Sequence, residues 1–126
     1  MKFQLDSAPG RHLFTGYGPG YLEINRERHA SALVVTAESL HTRWPARWDD
    51  LAEEHFAFLL TLNPEIVLLG SGTRQRFPHP RLLAGLAAAR IGCEAMDTAA
   101  ACRTYNILIA EGRNALAAVM PLDLPA

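Results

Sequence analysis

The chain has 126 residues, with 12 basic and 13 acidic side chains, a formal net charge of −1, and 49% hydrophobic against 20% charged residues. That length suits one domain, 1–126, able to bury on the order of two-thirds of its unfolded surface without a metal or disulfide staple. The mixture excludes a disordered chain, and the balanced charge excludes a nucleic-acid or anionic-membrane partner held by a broad basic surface.

The lead-in Met1–Pro9 has neither the basic start nor the apolar run of a signal peptide. Strand-like residues follow in His12–Tyr17 and Tyr21–Ile24 around a Gly18-Pro19-Gly20 breaker, the second alternating Leu22, Glu23, Ile24. Asn25–Glu27 reads as a turn into Ser31–Thr36, where Leu33-Val34-Val35 marks a more buried strand, and Leu40–Trp44 alternates up to Pro45. Asp50 followed by Glu53 has capping-box spacing, and Leu51, His55, Phe58, Leu59 and Leu62 then share a helical face. Asn63-Pro64 ends that helix, because a residue before proline avoids the α region. Ile66–Leu69 is the continuous apolar run of a strand covered on both faces, and Gly70-Ser71-Gly72-Thr73 breaks it. Pro80 opens a helix carrying Leu82, Leu83 and Leu86, with Gly92 as its C-terminal cap. Glu94–Met96 is a strand, Asp97 or Thr98 caps a helix over Ala99–Glu111, Gly112 ends it, and Ala115–Met120 is a strand before Pro121. A β-rich N-terminal part followed by β-α-β-α-β predicts an α/β domain of layered form.

Two loops open at the carboxyl ends of strands, where open α/β sheets bind ligands. In the first, Gly70 and Gly72 let a ligand approach the backbone, Ser71 and Thr73 offer hydroxyls, and Arg74 and Arg76 can meet an anion. The second is the start of the helix after Asp97, with Thr98 at its N-terminus and Arg103 one turn on. If strands 66–69 and 94–96 are parallel neighbours, Gly70, Ser71, Gly72, Thr73, Arg74, Thr98 and Arg103 line one cleft for an anionic small molecule. The structural alternative is a tight turn beside an Arg103 salt bridge. No P-loop, dinucleotide or nucleophile-elbow motif is present. Cys102 with His79 as base is imaginable, but Cys102 shares the apolar face of Thr98, Ala101, Tyr105, Leu108 and Ile109, the place of an inert thiol. Cys93 and Cys102 lack zinc or redox spacing, and His12, His29, His41, His55 and His79 lack metal-ligand spacing, so no cofactor or metal is expected. Asp49-Asp50 and Glu53-Glu54 fit a helix start better than paired catalytic carboxylates. Trp44 and Trp48 flank a proline turn and are expected to cover an edge of the core or, if exposed together, to form a partner contact. Lys2 is the only lysine beside eleven arginines, an excess that biased codon usage and twenty alanines account for without function. No stretch approaches the ~20 apolar residues of a membrane span, so the expected location is cytoplasmic.

Leu68-Leu69-Gly70-Ser71-Gly72-Thr73, Phe77-Pro78, the run Glu94 to Asn106 and Glu111-Gly112-Arg113 together resemble the Mth-domain proteins, over most of the chain from Phe14 onward. The resemblance implies a three-layer α/β fold with a mixed central sheet, and a family with neither an established enzymatic activity nor a cofactor. Eukaryotic relatives include a mitochondrial complex I assembly factor, which works by binding other assembly factors and subunits, and an adipogenesis-associated Mth-domain protein. It therefore points to a non-enzymatic binding or assembly domain with protein partners, and alanine-rich surfaces would permit a homodimer. The alternative is a small-molecule binder or cryptic enzyme using the cleft described above.

Overall fold

The strand Ala115–Met120 is apolar along its whole length and buried at every position, which requires cover on both faces of a sheet. The computed structural model describes residues 10–124, and the lead-in Met1–Pro9, with Lys2, lies outside them. The strands are β1 (Phe14–Gly18), β2 (Tyr21–Ile24), β3 (Glu27–His29), β4 (Leu33–Thr36), β5 (Leu40–His41), β6 (Ile66–Ser71), β7 (Gly92–Met96) and β8 (Ala115–Met120). The helices are α1 (Glu53–Thr61), α2 (Ala84–Ala88) and α3 (Thr98–Ala110), with 3₁₀ turns at Trp48–Asp50 and Pro80–Leu83.

Five strands form a mixed sheet in the order β5-β4-β8-β6-β7, and β1-β2-β3 form a separate antiparallel sheet. β6 runs parallel to both β7 and β8, while β4 runs antiparallel to β8 and β5. Because side chains alternate along a strand, β8 sends Ala115, Ala117 and Val119 into one core and Leu116, Ala118 and Met120 into the other. The first core lies under α3 and the small sheet, where Phe14, Leu22, Tyr105 and Ile109 meet it. The second lies under α1 and α2, with Trp44, Phe56, Leu59, Leu82 and Leu86. The chain is thus a three-layer α/β structure with a mixed central sheet, as expected. Strands 66–69 and 94–96 are parallel neighbours.

Several expectations need correction. Asn25–Glu27 is not simply a turn: Asn25 and Arg26 alone make it, with φ of 49° and 70°, and Glu27 already starts β3. Two positive-φ residues between paired strands are the type I′ hairpin arrangement. The alternation over Leu40–Trp44 gives a strand only at Leu40–His41, and Trp44 turns inward to stack edge-on against His55 and Phe56. The Asp50–Glu53 capping box does not form. Asp50 closes a 3₁₀ turn, and α1 starts from Ala52, whose N–H donates to His55 Nδ1 at 2.9 Å. His55 thereby takes the role a glutamate fills in a capping box. Gly92 does not cap a helix: Arg90 takes the left-handed conformation, φ 60°, and Gly92 opens β7.

Candidate functional site

β6 does not stop at Gly70 but continues through Ser71, and the chain turns at Gly72 with φ +90°. Next to it β7 ends and Asp97 caps α3, its Oδ1 accepting the Ala100 N–H at 2.8 Å. The two loops therefore do open at the same edge of the sheet, and they touch there. Thr98, fully buried, accepts the Gly72 N–H at 2.8 Å through Oγ1 and donates the same hydroxyl to the Met120 carbonyl at 2.5 Å. The Thr98 N–H in turn donates to the Gly72 carbonyl at 2.9 Å. One threonine thus ties together the carboxyl ends of β6 and β8 and the start of α3. Gly70 is required for this approach, since a Cβ there would lie 2.6 Å from Val119 Cγ1 and 3.1 Å from Thr98 Oγ1.

The other hydroxyls are also engaged. Ser71 Oγ accepts the Arg76 N–H at 3.0 Å and donates to the Arg74 carbonyl at 2.6 Å, which folds the loop back on itself. Thr73 Oγ1 accepts the Asp123 N–H at 2.8 Å. Arg76 reaches Asp49 at 2.8 Å. Arg74, on the loop, and Arg103, on the outer side of α3, are exposed and have no ion pair among the described residues. A shallow cavity of about 210 Å³ does exist, lined by Arg47, Trp48, Asp49, Arg76 and Asp123 together with Ser71 and Gly72. Gly70, Thr73, Arg74, Thr98 and Arg103 do not line it.

Cys102 and His79 are not brought together. Cys102 is buried in the core under α3, where burial raises its thiol pKa, while His79 Nδ1 accepts the Arg81 N–H at the start of the 3₁₀ turn. Cys93 lies on the opposite face of the sheet, its thiol pushed up to about 12 by burial and by Glu94. Among the described residues no group of His, Cys, Asp or Glu could hold a metal ion, and no helix is long and apolar enough to cross a membrane.

Sequence reasoning passed over three features. The Asn106 amide pairs with one backbone residue as a neighbouring strand would, accepting the Phe14 N–H at 2.9 Å and donating to the Phe14 carbonyl at 2.7 Å. Beside it the Tyr105 hydroxyl donates to the His12 carbonyl at 2.8 Å. At the opposite end of the central sheet, Glu65 accepts Arg113 at 3.0 and 3.3 Å and the Asn114 N–H at 3.0 Å, which lowers its pKa. Asp97, Thr98, Tyr105, Asn106 and Arg113 thus all hold elements of the fold together. Lastly, Phe77 stands 76% exposed on the loop after β6, beside an apolar groove of about 470 Å³ between Pro78, Pro80, Leu83, Cys93 and Ala95. The Phe77-Pro78 pair was visible as sequence, but nothing in it told an exposed aromatic from a core one.

The similarity to other proteins follows this framework. A "13 kDa major membrane protein" of Francisella tularensis is 28% identical over 117 residues, 90% of this chain and 94% of that protein. The zebrafish (Danio rerio) protein named NADH dehydrogenase [ubiquinone] 1 alpha subcomplex assembly factor 3 is 36% identical over 120 residues, covering 94% of this chain and 68% of its own. The solution structure of a Mth938-like domain protein of Bordetella pertussis superposes with a TM-score of 0.83 at 31% identity, covering 98% of this chain and 94% of that one. The family described as protein of unknown function (DUF498/DUF598) matches residues 14–120, from β1 to the last residue of β8. This chain belongs to the DUF498/DUF598 family, has the Mth938-like fold, and is homologous to a complex I assembly factor.

Proposed function

We propose that the chain is a non-enzymatic protein-binding domain that assists the assembly of a respiratory or other membrane complex from the cytoplasmic side. The supporting observation is the similarity to a named assembly factor along 94% of this chain. The local geometry agrees with it. The hydroxyls of Ser71, Thr73 and Thr98 are engaged within the chain, whereas Phe77 projects from the loop they fix. Exposed aromatic side chains beside apolar grooves are what protein partners grip. In this reading Gly70, Ser71, Gly72, Thr73 and Thr98 hold the loop rigid, and Arg74 and Arg103 meet acidic groups of the partner.

A photo-crosslinking residue at position 77, in cells of the organism that encodes the chain, tests this, with position 107 on the exposed side of α3 as comparison. Subunits of a membrane complex are expected to attach at position 77, and partly assembled complex should accumulate in a strain lacking the gene. Normal assembly in that strain, with no complex subunit captured at either position, overturns the reading.

A further inference from the structure

Among the described residues β7 is an outer strand of the central sheet, bonded to β6 on one side. In a parallel pair each residue directs its N–H and C=O to the same side, and successive residues alternate. Gly92 N–H bonds inward to Glu65, so by this alternation Gly92, Glu94 and Met96 serve the β6 ladder. Cys93 and Ala95 therefore present their backbone groups outward. The outer Ala95 carbonyl is taken by Gln75 Nε2 at 3.1 Å, which leaves the Cys93 N–H, Cys93 C=O and Ala95 N–H in a row without partners among the described residues. The Cys93 and Ala95 side chains lie on the α2 face of the sheet, and on that face the groove made with Phe77, Pro80 and Leu83 adjoins the edge. Glu94 points to the other face; it is exposed and has no ion pair among the described residues.

We infer that the outer edge of β7 binds an extended segment of a protein partner as an added strand, with apolar side chains at two alternate positions in the Phe77–Leu83 groove and a lysine or arginine between them opposite Glu94. The inference rests on the protein-binding reading above and names the surface and the partner's chemistry. Backbone pairing supplies the affinity, and the alternating pockets supply selectivity. The occupant must be extended because the donors and acceptor lie in a row. It must be basic at its middle position because opposite charges directly across a strand pair attract and like charges repel.

The test uses the full chain labelled with ¹⁵N and a short synthetic peptide with Val-Lys-Val at its centre. The Cys93 and Ala95 amide resonances should shift and their hydrogen exchange should slow at millimolar peptide. Replacing the peptide lysine by glutamate should weaken binding about fivefold, and the Glu94→Lys variant should invert that preference. Ala95→Pro removes an outward N–H while sparing the β6 ladder, and proline is tolerated at such edge positions; it should abolish binding with the remaining spectrum retained. Shifts centred away from β7, or a Glu94→Lys variant with unchanged preference, overturn the inference. So does slowed exchange at Cys93 and Ala95 that grows with protein concentration in the absence of peptide, since the edge then pairs with a second copy. Failure here alongside subunit capture at position 77 refutes the added strand but leaves the assembly reading standing; the opposite pattern removes the assembly role and keeps the edge.

Discussion

Replacing Thr98 by valine exchanges one hydroxyl for a methyl group of similar size. The hydroxyl is fully buried and serves two partners that are themselves buried, the Gly72 N–H at 2.8 Å and the Met120 carbonyl at 2.5 Å. Valine leaves both unsatisfied, and a buried orphaned polar group costs about 1–3 kcal/mol. A methyl carbon also needs about 3.3 Å from a carbonyl oxygen, more than the 2.5 Å the hydroxyl occupies. The expected loss is about 3–5 kcal/mol, which at about 3–5 °C per kcal/mol for a chain of this size lowers Tm by about 10–25 °C. Thr98→Ser keeps both hydrogen bonds and removes one methyl, for about 1 kcal/mol. The predicted order of stability is therefore wild type, serine, valine, although valine preserves shape better. Urea denaturation monitored by tryptophan fluorescence, with calorimetry alongside, measures it. A valine variant as stable as the serine variant would refute the claim that this hydroxyl joins the three elements.

Asn106→Leu removes both bonds to the Phe14 backbone; it should cost about 2–4 kcal/mol and speed amide exchange at Phe14 more than at β6 or β8. The pKa of Glu65 is lowered chiefly by hydrogen bonds from Arg113 and Asn114, so its contribution to stability is complete above the ordinary value near 4.5 and is lost as pH falls through the lower folded value. Urea midpoints between neutral and acid pH should accordingly fall less steeply in Glu65→Gln than in wild type, and parallel curves would contradict this. Cys93, with its thiol pushed up to about 12, and the more deeply buried Cys102 should both resist a thiol-specific disulfide reagent near pH 8 in the native chain and react on unfolding. Rapid native reaction at Cys93 would show that the groove beside it opens.

The fold was most legible where burial imposes a pattern. The continuous apolar runs of β6 and β8 and the alternation in β2 each marked a strand, and Asp97 marked the start of α3. β3 was illegible because Glu27-Arg28-His29 carries no apolar residue; it exists through its pairing with β2. The core residue Phe56 was missed because Asp50 and Glu53 imitate a cap two residues too early, which puts the extended Leu51 on the helix and centres the inferred face on it. The meeting of the two loops could be reasoned from topology. Whether their hydroxyls faced a ligand or each other could not, because Thr98 acquires Gly72 and Met120 as partners only when three elements arrive together.

The position of β8 has a consequence for how the chain is made. It lies between β4 and β6, so the strand synthesised eighth is the one that joins the earlier ones into a sheet. During translation, β4 and β6 are made before the strand that joins them, each with a buried-type apolar face and backbone groups unpaired on the side β8 will take. Closure of the sheet must therefore follow synthesis of Ala115–Met120, and a nascent chain stalled before that point exposes sticky strands that a chaperone would have to shield.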